Sequence, residues 1–123
     1  MSIQDHEQLK ELAGRQLTAV TFVWDYLQLQ FDGPALNVMN TVAVSSQEQS
    51  ARTGDNQFRN LLCSHISGRV QAVDINADEV SIEFFGGGRI AVLLADEHYS
   101  GPEAIYYYGF QNGGWGAIRP DFE

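Results

Sequence analysis

The sequence predicts a strand-rich α+β fold built from two copies of one unit, each a short helix followed by a three-stranded β-meander. A C-terminal β-hairpin completes the prediction. The repeat aligns residues 17–33 with residues 70–86 without a gap, at an offset of 53 positions, and resumes one residue later with 36–38 opposite 90–92. Apolar residues fall opposite apolar residues throughout. Because one small sheet cannot cover its own apolar face, we expect the two units to pack pseudosymmetrically.

Each unit is predicted to begin with a helix that ends at a glycine. In the first unit Ser2 is the candidate cap and Gly14 the left-handed residue that ends the helix. In the second unit Asp55 or Thr53 caps the helix, and Gly68 ends it.

Alternating apolar residues predict the strands. Placing Phe22 opposite Leu27, and the matching Ile75 opposite Val80, gives each unit a first hairpin closed by a four-residue loop. The alternation breaks at 17–20 and again in the second copy, which predicts a β-bulge in both. The predicted strands lie at 17–22, 27–31, 36–44, 70–75, 80–84 and 90–94.

We expect a single domain over residues 1–123, because the chain has the length of one ordinary domain and is 44% hydrophobic. The segment around residues 45–50 is polar and without periodicity, which indicates a linker. The predicted divisions are unit one at 2–44, a polar linker at 45–54, unit two at 55–94, and a closing loop and hairpin at 95–118, with the hairpin turning at Asn112, Gly113 and Gly114.

Charge and composition exclude several functions. Sixteen acidic and seven basic residues give a net charge of −9, which disfavours binding to nucleic acids and to anionic membranes. Cys63 is the only cysteine, so an internal disulfide is impossible. We find neither a signal peptide nor an apolar run long enough to span a bilayer, and we therefore expect a cytoplasmic protein.

The most polar candidate site is the loop at residues 96–103. Carboxylates and imidazoles are common metal ligands, but their spacing here matches no established metal or catalytic motif. The alternative interpretation is a solvated loop after a strand. A ligand or metal site in this loop would use Asp96, Glu97, His98 and Glu103.

Aromatic residues form the second set of candidate site residues. Exposed aromatics with few lysines nearby are typical of protein interfaces, although tyrosine is also an ordinary strand residue. At the first hairpin loop the second copy has Ala77 where the first has Trp24, so the fold does not need a large side chain there. Either the C-terminal hairpin or a second molecule should cover Trp24. The interaction candidates are Trp24, Tyr26, Tyr106, Tyr108 and Trp115.

The repeated pattern resembles that of small bacterial proteins built from duplicated β-meanders and, more loosely, of immunity proteins from polymorphic toxin systems. The resemblance implies an acidic, non-enzymatic bacterial protein. It rests on framework residues, namely Gly68, Val70, Val73, Val80, Ile82, Phe84, Gly86, Ile90 and Val92, with Leu17, Val20, Leu27, Leu29, Phe31, Gly33, Leu36 and Val38 in the first copy.

The sequence therefore favours a non-catalytic, acidic protein-interaction module of the immunity type that needs no cofactor. Its partner would be a basic protein or a second copy of the chain. We expect no enzyme activity, because no nucleophile with a base, no carboxylate pair and no phosphate loop is recognisable. The alternative is a small-ligand or metal-binding domain with its site near the loop 96–103. A deep polar pocket beside that loop would favour the alternative.

Overall fold

A computed structural model of the chain describes residues 3–99, 101–110 and 113–119. It confirms a strand-rich α+β fold. A 3₁₀ helix (Ile3–Leu12), kinked at His6, precedes the strands. One α-helix, α1 (Phe58–Cys63), lies between them, and a 3₁₀ turn (Asp96–His98) follows the eighth strand. The strands are β1 (Leu17–Val23), β2 (Tyr26–Phe31), β3 (Ala35–Val38), β4 (Val42–Ser46), β5 (Gln49–Arg52), β6 (Val70–Ile75), β7 (Glu79–Phe84), β8 (Arg89–Leu93), β9 (Ile105–Tyr108) and β10 (Gly116–Ile118).

The strands form two antiparallel sheets of five. The first sheet has the order β1-β2-β3-β9-β10 and the second β5-β4-β8-β7-β6. Both predicted meanders are present, as β1-β2-β3 and β6-β7-β8. Each meander is extended by the hairpin that follows the other meander in the chain, since β9 pairs with β3 and β4 pairs with β8. The predicted C-terminal hairpin is therefore the edge of the first sheet; Asn112 of its turn lies outside the described residues.

Two expectations about residues 36–54 are wrong. The predicted strand at 36–44 is divided between β3 and β4, which belong to different sheets. The polar segment at 45–54 is not a linker, because most of it forms the end of β4, a tight turn and β5. Its polar residues suit an edge hairpin with one face in solvent, which lacks the apolar alternation of a buried strand.

The predicted irregularities of the meanders are confirmed. The register between β1 and β2 shifts within residues 17–19, and that between β6 and β7 shifts within 70–72. Ile75 lies opposite Val80 as expected. These two bulges occupy positions that the repeat aligns.

The first hairpin is tighter than the sequence predicts. Phe22 lies opposite Leu27, as expected, but Val23 also pairs with Tyr26. The connecting turn therefore consists of two residues, Trp24 and Asp25, rather than four. Strands β1 and β2 remain paired up to this turn, so the Trp24 indole lies at the end of the sheet.

The helix ends are partly as predicted. Gly14 has a φ of +87°, consistent with the left-handed end of the first helix. After α1, however, the left-handed residue is Ser67, with a φ of +80°, and not Gly68. Gly68 is required for another reason: a Cβ atom there would lie 2.9 Å from the carbonyl oxygen of His65 and 3.1 Å from the Phe84 ring.

Buried side chains of both sheets form one continuous hydrophobic cluster. Leu29 of β2 and Ile82 of β7, which the repeat aligns, are both fully buried. His6 is also buried, and its Nδ1 atom lies 2.8 Å from the Tyr107 hydroxyl. Within the described part of the chain, no helix is long and apolar enough to cross a membrane.

Candidate functional site

A cleft of about 710 Å³ lies where the first hairpin, α1 and the connections between the sheets meet. Its wall includes the β1–β2 turn and the residues at 39–41 that join β3 to β4. Residues 53–56 and the first turn of α1 form another side, and residues 97–99 close it. The cleft thus lies beside the loop that the sequence singles out as a polar candidate site.

The cleft brings together residues from both sequence-predicted sets. Trp24 and Tyr26 line it, and so do Glu97 and His98. Trp24 is 97% exposed, so the expectation that the C-terminal hairpin covers this indole is wrong. The His98 side chain is largely covered, whereas that of Glu97 is 80% exposed. The imidazole therefore belongs to the wall, and the carboxylate and the indole belong to the rim.

Asn40 is the most unusual polar residue of the cleft. The residue is 5% exposed, and its Nδ2 atom donates a hydrogen bond of 2.7 Å to the Leu93 carbonyl. That bond fixes the orientation of the amide, because the opposite orientation would set two oxygens against each other. The Oδ1 atom is buried, and no group of the described residues donates a hydrogen bond to it. An unsatisfied buried acceptor destabilises a fold by about 1–3 kcal/mol and calls for an explanation.

The lining of the cleft also includes apolar and aromatic side chains. Phe58 is buried, while Phe22 and Tyr99 are partly covered, and all three line the cleft. The Arg59 guanidinium lies over the Phe22 ring, 4.9 Å from its centroid. The wall thus already holds one cation against an aromatic face.

The rim of the cleft is acidic. Among the lining residues that the structure describes, Asp25, Asp55 and Glu97 contribute three carboxylates and Arg59 one guanidinium. Asp55 also shapes its own segment, since its Oδ2 atom accepts a hydrogen bond of 2.8 Å from the Arg52 amide. All three carboxylate residues are exposed.

Backbone hydrogen bonds join the β3–β4 connection to the segment that follows β8, and both form one wall of the cleft. The amide of Thr41 donates to the His98 carbonyl at 3.3 Å, and the Leu93 amide donates to the Thr41 carbonyl at 3.0 Å. The two connections between the sheets therefore run side by side, which positions Asn40 and His98 in one wall.

The metal hypothesis for the loop 96–103 gains no support. Glu103 pairs with a residue outside this loop: one of its carboxylate oxygens accepts bonds of 3.1 and 2.9 Å from Arg119. Glu97 and His98 lie 3.8 Å apart, and the side chain of Asp96 is outside the described part. Among the described side chains, no group of three His, Cys, Asp or Glu residues could hold a metal ion.

The remaining aromatic candidates form a separate cluster. Tyr106, Tyr108 and Trp115 lie on the solvent side of the first sheet, with ring centroids 5.6 Å apart for the two tyrosines and 6.0 Å apart for Tyr106 and Trp115. Tyr107 points the other way and is buried. The five predicted interaction residues are thus divided between two surfaces.

Asn40 and Arg59 are two of the cleft residues that the sequence analysis did not single out as site residues. The repeat held a signal for the first, because Leu94 aligns with Asn40 and an apolar residue is expected there. No pattern signals Arg59, since its role depends on α1 packing near β1. Comparison of the chain with protein-family models, curated proteins and solved structures finds no match. The functional argument therefore rests on the geometry of the cleft.

Proposed function

We propose that this chain binds a small organic cation, an amine with an apolar body, in the cleft beside residues 97–99. The observation that carries the proposal is the buried Oδ1 atom of Asn40, an acceptor to which no described part of the chain donates. A ligand N–H group would satisfy it, and the fold would recover the free energy lost by burying it. Because the oxygen itself is covered, binding requires a small displacement of the Asn40 side chain.

The charge of the rim selects among possible donors. Three carboxylates against one guanidinium favour a cation, and the net charge of −9 acts in the same direction at long range. A carboxylate ligand would meet repulsion everywhere except at Arg59. A neutral alcohol would satisfy Asn40 but gain nothing from the rim.

The aromatic wall supports the same ligand class. Tyr26 and Tyr99 offer ring surface to an apolar body, and aromatic faces attract ammonium groups electrostatically. The position of Arg59 over Phe22 is an example of this interaction within the cleft.

We further infer that the two units are related by a pseudo-twofold axis and exchange their hairpins. The amide of Leu93 donates to Thr41 at 3.0 Å, and that of Met39 donates to Ala104 at 2.8 Å, so each meander receives the incoming hairpin in the same way. Under this arrangement, a residue whose type differs between aligned positions of the two units is one that the fold itself does not require.

The cleft is rich in such departures. Asn40 aligns with Leu94, and Trp24 aligns with Ala77. The connection from β3 to β4 has three residues, whereas residues 94–104 join β8 to β9 and include the 97–99 segment of the cleft. Departure from the repeat at three converging points supports a specific role for this end of the molecule.

The experiment compares three probes of one shape: 2-phenylethylamine, 2-phenylethanol and 3-phenylpropionate. Binding is measured from backbone amide chemical shifts in NMR spectra and from the fluorescence of Trp24 in a Trp115→Phe background. We expect the amine to bind best, to shift the resonances of Trp24, Asn40 and His98, and to weaken as salt is added.

Matched variants locate the site. Asn40→Leu should abolish amine binding, while Asn60→Leu, on the exposed face of α1, should not. Glu97→Gln should weaken binding more than Glu48→Gln in the β4–β5 turn. Equal binding of amine and alcohol, or preference for the carboxylate, would contradict the proposal.

A second candidate is binding of a basic protein partner, the kind of partner implied by the resemblance to immunity proteins. The observation in its favour is the exposure of Trp24 beside the Asp25 carboxylate, because Trp is enriched at interface hot spots. Capture from a lysate of the native host, with wild-type and Trp24→Ala baits, would test it. A basic protein retained only by the wild-type bait is the supporting result.

A further inference from the structure

The solvent side of the first sheet carries an uncharged platform of aromatic and amide side chains. Strand register places its residues in two rows that run across the strands. The first row is Thr21, Gln28, Asn37, Tyr106 and Ala117, and the second is Ala19, Gln30, Ala35 and Tyr108. The Trp115 ring packs against that of Tyr106. None of these residues is charged, in a chain whose net charge is −9.

The second sheet shows that the fold does not dictate this neutrality. The corresponding rows of that sheet contain two arginines and two acidic residues, and their other six members are alanines and serines. The rows are Asp74, Ser81, Ala91, Ala43 and Arg52, and Ala72, Glu83, Arg89, Ser45 and Ser50. The matching rows therefore carry four charged residues in the second sheet and none in the first.

The platform also has an ordered arrangement of polar groups. The Nε2 atom of Gln28 donates to Asn37 Oδ1 at 3.0 Å and to the Tyr108 hydroxyl at 2.8 Å. Among the described residues, the Gln28 Oε1 acceptor and the Asn37 Nδ2 donor have no partner. A fixed acceptor and a fixed donor thus lie on neighbouring strands next to exposed rings.

From these features we propose that the platform binds a neutral oligosaccharide of pyranose units. A pyranose ring has an apolar face of C–H groups that packs on aromatic rings, and hydroxyls at its edge that pair with amide donors and acceptors. An uncharged surface suits a ligand without charge, because no ion loses its water on binding. The proposal is independent of the amine site.

The size of the platform favours a small ligand over a protein. A shallow depression of about 410 Å³ lies between Asn37, Trp115 and the tyrosines. Five strands spaced at about 4.8 Å, with about five residues each at ~3.3 Å, present about 400 Å². A standard protein interface needs about 800 Å² from each partner, and its centre is more apolar than this amide row.

The test uses soluble hexasaccharides of glucose, xylose and N-acetylglucosamine in β-1,4 linkage and of glucose in α-1,4 linkage. Titration calorimetry measures affinity, and light scattering measures the mass of the protein in the same samples. We expect at least one of the four to bind, and we expect Trp115→Ala to weaken it by about tenfold or more, as loss of one stacking ring should.

Controls separate the platform from general effects. Phe85→Ala removes another exposed aromatic, 60% accessible and outside the platform, and should leave affinity unchanged. Asn37→Asp should weaken binding with little effect on stability, whereas Ser50→Asp on the second sheet should not.

Three outcomes would overturn the proposal. The first is that none of the four hexasaccharides binds. The second is that Phe85→Ala weakens binding as much as Trp115→Ala does. The third is a concentration-dependent dimer that Trp115→Ala dissociates, without saccharide binding, which would assign the platform to a second copy of the chain.

Discussion

Gln16 and Arg69 form an isolated antiparallel β-bridge between the two units, and they become equivalent when the offset of 53 that aligns the repeat is continued by one residue towards the N-terminus. An antiparallel pairing of equivalent residues is what a twofold axis through the bridge would produce. The neighbouring bonds are reciprocal. Leu17 donates to the Gly68 carbonyl at 2.9 Å and Val70 donates to the Arg15 carbonyl at 2.8 Å. These contacts support the proposed pseudo-twofold arrangement at its centre.

The first prediction concerns the matched core. Leu29→Ala and Ile82→Ala each remove a fully buried aliphatic side chain from aligned strands. Each change should lower the free energy of unfolding by about 2–5 kcal/mol, through lost burial and the cavity left behind. Chemical denaturation measures both. A loss below about 1 kcal/mol at one position only would show that the two sites are not equivalent in packing.

The second prediction uses the two helix ends. Ser67 adopts a left-handed φ of +80° at the position aligned with Gly14. A side chain in this conformation is strained by about 1–2 kcal/mol, and glycine relieves the strain at some entropic cost. Ser67→Gly should therefore raise stability by about 0.5–1 kcal/mol, and Gly14→Ser should lower it by about 1 kcal/mol. Thermal and urea unfolding measure the change in stability of both variants. Destabilisation by Ser67→Gly would mean that the serine side chain makes a compensating contact.

The sequence predicts the meanders well, and for a physical reason. Period-two alternation, both bulges and the glycine turns are local signals that need no knowledge of distant contacts. The exchange of hairpins is not local. Whether the chain at residue 42 continues its own sheet or crosses to the other depends on which edge is open, β3 or β8. The same limit applies to the cleft, since nothing near Asn40 in sequence indicates that His98 lies in the same wall.

The third prediction separates function from stability at Asn40. Asn40→Leu introduces the residue found at the aligned position 94, removes the unsatisfied Oδ1 atom, and also removes the bond to Leu93. The gain of about 1–3 kcal/mol should exceed the loss of about 1 kcal/mol, so stability should rise slightly while amine binding disappears. Denaturation and probe titration on one sample measure both. If stability falls, the Leu93 bond is the dominant contribution of this side chain.

The fourth prediction concerns metal and catalysis. Glu103 pairs with Arg119, and Glu97 lies 3.8 Å from His98, an arrangement that does not gather ligands around one point. We expect calorimetry with Zn²⁺ or Ca²⁺ to detect no micromolar binding, and we expect no independent hydrolase or transferase activity. Metal binding that His98→Ala and Glu97→Gln both abolish would restore the metal hypothesis, and turnover lost in His98→Ala would restore an enzymatic one.

The last prediction concerns Trp24. Its indole is 97% exposed at a two-residue turn, and the matching turn of the second unit has Ala77. Trp24→Ala should therefore change the free energy of unfolding by less than about 0.5 kcal/mol, as for other exposed side chains. Ligand or partner binding at the cleft rim should nevertheless weaken, because a large aromatic surface would be lost. Melting temperature, mass in solution and probe affinity are measured on the same preparation. A fall of several degrees in melting temperature with unchanged binding would make Trp24 a packing residue and remove it from the site.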